Sequence, residues 1–162
     1  MYEKRFIMKN LTFNIEIILI AIGFLFINAC DSEIDINYNI TGDWRVVSYE
    51  NYETSTVITK TEDNPWDGFN GGDVIVNFTE TDLTSGVISG IKVTNSFWGE
   101  YTINTKGGIT IGDICQTEIN EPECGTLFNS ITDAETYKVR NDQLIIFYNR
   151  KKNSITLEKL NE

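Results

Sequence analysis

The chain has no histidine. Ser-His-Asp and Cys-His catalytic arrangements are therefore excluded, as are zinc sites built on imidazole. Proline is also scarce, at two residues, and cysteine occurs three times in 162 residues. No block repeats at a period of 20–50 residues, which excludes solenoids and propellers. Basic residues are few, with 13 Lys and Arg against 24 Asp and Glu. That balance argues against nucleic acid or an anionic lipid surface as a partner. Carboxylate-only chemistry survives all of these absences.

Long apolar runs are missing except at the start of the chain. Lys4, Arg5 and Lys9 precede an apolar stretch whose cleanest part is Ile17 to Ile27. This is the length of a signal-peptide core and short of the ~20 apolar residues a membrane span needs. It ends in Ile27-Asn28-Ala29-Cys30, which resembles the bacterial lipobox. An aliphatic residue stands at −3 and a small one at −1, although Asn28 departs from the small residue usual there. The Cys30 thiol would accept the lipid. Residues 1–29 are thus expected to be a lipoprotein signal peptide, with residues 30–40 an acidic tether (Asp31, Glu33, Asp35). The expected location is the cell envelope, at the outer membrane or surface of a Gram-negative bacterium. An uncleaved anchor helix is the competing reading. Each buried CH₂ of an acyl chain contributes ~0.8 kcal/mol, and two or three chains hold a protein permanently.

The remaining chain carries 10 basic and 22 acidic residues, a net charge of −12. Its length suits one domain with one core. Thr, Ile, Val, Tyr and Phe are abundant and favour β-structure. With Cys30 lipidated, Cys115 and Cys124 are left as a candidate disulfide in an exported protein. The short loop would give it ~2–3 kcal/mol at most. Two buried free thiols are the alternative.

Alternation of apolar and polar residues predicts a strand from Gly42 to Tyr49, with Trp44, Val46 and Ser48 on one face. Further strands are expected over residues 55–61, 73–79, 84–94, 97–104, 109–111, 136–140, 144–148 and 154–159. One short helix is expected after an Asn120 cap, with Cys124, Leu127, Phe128 and Ile131 at helical spacing. The fold class expected for residues 41–162 is mostly β, a small antiparallel barrel of about eight strands with one short helix.

The order of these features resembles the META domain, a secreted or lipid-anchored bacterial module with a lipocalin-like barrel. The resemblance rests on Gly42-Asp43-Trp44 and on the strand ending in Phe78. It rests also on Ser89-Gly90 with Asn95-Ser96-Phe97-Trp98-Gly99-Glu100-Tyr101, and on Ile109-Thr110-Ile111 leading to Thr117, Glu121 and the helix. The last patch is Tyr137-Lys138-Val139 with Leu144-Ile145-Ile146. Many members have Gly-Cys-Asn where this chain has Val93-Thr94-Asn95, so nothing built on that cysteine is present. Other lipocalin-like lipoproteins share the Gly-x-Trp opening and form a second possible family. The family has no agreed catalytic residues. The resemblance implies a stress-related or envelope role.

The best binding candidate in the sequence is the loop Glu62 to Asp73, which collects oxygen ligands with two aromatics. Trp66, Asp67, Phe69 and Asp73 are its candidate contacts for a protein or a small hydrophobic ligand. Calcium needs roughly six to eight oxygens at set spacing. Here Pro65 and Val74 fall on the third and twelfth positions of an EF-hand register, so no metal site is expected there. No cofactor motif occurs. Glu100, Glu118, Glu121 and Glu123 are available for a carboxylate-dependent hydrolase, the remotest reading. The function expected is a non-enzymatic envelope lipoprotein. A structural or inhibitory lipoprotein acting on a basic envelope protein is the alternative.

Overall fold

The structure is a computed structural model and describes residues 39–60 and 69–160. The signal segment, Cys30, Trp66 and Asp67 lie outside the described residues. Ten strands form one antiparallel sheet: β1 (Gly42–Asn51), β2 (Thr56–Thr59), β3 (Ile75–Asp82), β4 (Ser85–Ile91), β5 (Ser96–Ile103), β6 (Ile109–Ile111), β7 (Cys115–Gln116), β8 (Ala134–Arg140), β9 (Gln143–Tyr148) and β10 (Asn153–Lys159). Eight of them follow the order β6-β5-β4-β3-β1-β10-β9-β8, with β2 added beside β1 and β7 beside β5. The two ends of this path meet at a narrow seam. Gly108 bridges to Thr136, and Tyr137 N–H donates to Gly107 O at 2.8 Å. The result is a nearly closed eight-strand barrel with one short helix, α1 (Glu123–Leu127).

Alternation decides which side chains enter the barrel. Val76 and Phe78 of β3, Leu144 and Ile146 of β9, and Ile155 and Leu157 of β10 are all fully buried. Burying side chains of this size contributes ~1.5–3 kcal/mol each. Trp44 is 1% exposed, and its indole N–H donates to Ile40 O at 2.7 Å. Ile40 is itself in the core, so ordered packing begins inside the stretch expected to be tether.

The β1 expectation fails at one residue. Val46 pairs with Leu157 and Ser48 with Thr156, so Val47 is an extra residue, a bulge. The bulge inverts the alternation, and Tyr49 rather than Ser48 turns inward. On β4 and β5 the inward pairs set one glycine against one large side chain: Gly86 with Tyr101, Ile88 with Gly99, Gly90 with Phe97. A Cβ at Gly86 would overlap Thr79 O and the Tyr101 ring, and one at Gly90 would overlap Ile75 O and the Phe97 ring. The Ser-Gly-x-x-Ser-Gly spacing of β4 is thus a packing device of a small barrel, whose interior fits small against large.

The pairing registers sort the connections by end of the barrel. Gly42 of β1 lies opposite Phe78 and near Lys159. The chain therefore enters at the end that also carries the turns after β3, β5 and β8. The opposite end carries the connections β2–β3, β4–β5, β7–β8 and β9–β10.

Candidate functional site

The entry-distal end is closed by the segment between β7 and β8. Sequence reasoning placed Asn120 as the helix cap. In the structure the N-cap is Pro122, with no side-chain cap, and a 3₁₀ segment (Phe128–Asp133) follows α1 directly. Asn120 does not cap because its neighbour Glu121 is held elsewhere. The Glu121 carboxylate reaches back to the β4–β5 turn. It accepts from Thr94 N at 3.1 Å, Thr94 Oγ1 at 3.0 Å, Asn95 N at 3.1 Å and Asn95 Nδ2 at 2.6 Å. Asn95 is 2% exposed. Its Oδ1 accepts from Thr117 Oγ1 at 3.0 Å and from Ile119 N at 2.7 Å. Gly125 leaves room for this carboxylate, since a Cβ there would overlap Glu121 Oε1. Glu121 is therefore a clamp whose carboxylate holds the β4–β5 turn.

Behind the clamp lies a cleft of about 460 Å³ between β7 and the 3₁₀ segment. Phe97, Phe128 and Ile131 form its apolar wall, the two phenyl rings 5.2 Å apart. Its polar wall holds Lys92, Gln116 and Asn129. Lys92 is 3% exposed. Its ammonium donates to Gln116 Oε1 at 2.5 Å and to Asn129 Oδ1 at 2.6 Å, two neutral amides. Burial pushes the Lys92 pKa below the ordinary lysine value, and the Glu121 charge opposes that shift. Asp113, an exposed residue, also lines the cleft; Glu100, Glu118, Glu121 and Glu123 do not.

The loop favoured by sequence is described only at its edges. Its last turn (Phe69–Gly72) is left-handed at Asn70 and Gly71, with φ of 58° and 61°. Lys60 closes the loop base. Its Nζ meets Asp73 Oδ1 at 2.5 Å and Gly71 O at 2.6 Å. Asp73 is thus an ion-pair partner within the chain. A second hollow of about 200 Å³ sits at the entry end, lined by Ile40, Leu83 and Tyr101 with Glu80 and Asp82. Among the described residues, no three Cys, Asp or Glu side chains converge to hold a metal ion.

The expected bridge between Cys115 and Cys124 is not formed. Both are free thiols. Cys115 is exposed on β7, opposite Trp98, whereas Cys124 is buried on α1, and burial pushes its thiol pKa up. The even count misled because the short sequence loop separates a surface strand from a buried helix.

Lys92, Gln116 and Asn129 escaped sequence reasoning. Nothing in Ile91-Lys92-Val93 singles Lys92 out, because alternation puts a charge between two apolar residues on the solvent side of a strand.

No family model matches the chain, and no curated protein does. Among solved structures, the chain is similar to a crystal structure of a DUF4847 family protein from Bacteroides vulgatus. The TM-score is 0.54 at 14% identity, covering 75% of this chain and 94% of that one. This likeness establishes the barrel fold. The described part belongs to the class of small antiparallel barrels.

Proposed function

We propose that the chain is a lipoprotein anchored through Cys30, carrying a non-enzymatic barrel that binds at its entry-distal end. The observation that carries the reading is the opposition of two ends. The chain enters the barrel at Ile40, a short step from the lipobox-like Ile27-Asn28-Ala29-Cys30. The cleft beside Lys92 and the base of the Glu62 to Asp73 loop both lie at the other end. We also propose a META-type module as its family, at the outer membrane or surface of a Gram-negative cell. The glycine–aromatic pairs and the Asn95–Glu121 clamp supply physical reasons for the residues that carry that resemblance.

A second reading is an inhibitor of a basic envelope protein. It is favoured by charge placement, since residues 73–133 hold nine acidic and two basic side chains.

The test is metabolic labelling with an alkyne fatty acid in a bacterial host that processes lipoproteins. The expected outcome is a labelled chain in the membrane fraction, with Cys30→Ala losing the label. An unlabelled chain whose intact mass still includes residues 1–29 overturns the anchor.

A further inference from the structure

We infer that the cleft beside Lys92 is a binding site for a small organic monocarboxylate with an apolar body. The inference rests on reading the entry-distal end as the binding face, and it adds the chemistry of what binds there.

Three features of the cleft select this class. The first is the state of the ammonium. A buried charge is costly unless its donors are satisfied and its field is offset. Lys92 offers three N–H donors, and among the described residues two acceptors meet them, both neutral amide oxygens. Glu121, the nearby charge acting on Lys92, is committed to Thr94 and Asn95. One donor of the ammonium is therefore available to an anionic oxygen. Hydrogen bonds of that charge-assisted kind are about twice as strong as neutral ones.

The second feature is the pair of amides. Gln116 and Asn129 turn their oxygens to Lys92, which leaves their NH₂ groups as donors beside it. Two planar amides and one ammonium suit the two oxygens of a carboxylate.

The third feature is the opposite wall. Phe97, Phe128 and Ile131 give an aromatic or branched aliphatic body a dry surface, and about 460 Å³ accommodates a small molecule. Inorganic phosphate has no apolar body to set against that wall. A carboxylate with an apolar body is therefore favoured over inorganic phosphate.

The experiment is a titration of the full chain with phenylacetate, phenylacetamide and inorganic phosphate, followed by NMR of the side-chain amides and by calorimetry. Phenylacetate is expected to shift the Gln116 and Asn129 NH₂ signals and to bind about tenfold or more tightly than phenylacetamide, the usual size for losing one charged hydrogen bond. Lys92→Met, with folding verified by circular dichroism, is expected to erase that preference. Asn129→Leu keeps the ammonium and is expected to weaken phenylacetate alone, so the pair separates lost recognition from lost folding. Equal binding of acid and amide overturns the inference. So does stronger binding of phosphate, or a folded chain whose amide signals do not move at millimolar phenylacetate. Cys30→Ala leaves this titration unchanged, and a silent titration leaves fatty-acid labelling unchanged, so the two readings fail separately.

Discussion

Tyr49 ties the first strand to the helix that closes the barrel. Its hydroxyl donates to Cys124 O at 2.9 Å across 75 positions of sequence. Burial, with the Cys124, Tyr148 and Glu121 charges behind it, holds its pKa far above the ordinary tyrosine value. In the unfolded chain the same phenol ionises near pH ~10. The folded state therefore keeps a proton that the unfolded state loses. The stability Tyr49 contributes is complete below pH ~10 and falls as pH rises above it. Tyr49→Phe is expected to cost about 1 kcal/mol at neutral pH, from one unmet carbonyl. Its midpoint of urea unfolding should then fall less steeply than wild type above pH ~10. Parallel pH profiles would contradict the assigned burial.

At the scale of elements, the glycine–aromatic pairs of β4 and β5 decide whether two strands can lie flat on the core. The edge-to-face contact of Phe78 with Tyr101, ring centres 5.2 Å apart, depends on Gly86 beneath the ring. Gly86→Ala is expected to destabilise by about 1–3 kcal/mol through overpacking. Gly112→Ala, whose new methyl would meet only Glu100 O at 3.4 Å, is expected to stay within about 0.5 kcal/mol. Urea unfolding of the two variants checks the contrast.

These elements also show what sequence reading reaches. Strand positions followed from alternation, because burial on one face writes a period of two into the chain. The Val47 bulge did not follow. Nothing in Arg45-Val46-Val47-Ser48 marks which residue is extra; the pairing with Leu157 and Thr156 decides that. Asn120 had capping chemistry, yet Glu121 was engaged by a turn 26 residues earlier. The cleft was less legible than the barrel for the same reason. Lys92, Gln116 and Asn129 are far apart in sequence, and each is unremarkable until the fold brings them within hydrogen-bonding distance.

At the scale of the whole molecule, Cys115 reports on placement. It is exposed and free at the entry-distal end, Cys124 is buried, and Cys30 is expected to be a thioether. A membrane-impermeant maleimide is therefore expected to label intact cells at Cys115 if the barrel stands on the outer surface, and Cys115→Ser should abolish the signal. Labelling that requires permeabilised cells would place the barrel on the inner side. Cys124 should react in either case only after denaturation.

The pairing of β1 with β10 has a consequence for how the protein matures. Seven residues of the first strand find partners in the last one. A chain that emerges from its amino end can assemble β3, β4 and β5 as successive hairpins, each closing over a short span. The first strand, however, keeps one edge open until residue 159 has arrived. Closure is thus timed by the carboxyl end, and a chain truncated before β10 would expose Trp44 and Val46 along an unpaired edge, the form most prone to aggregate.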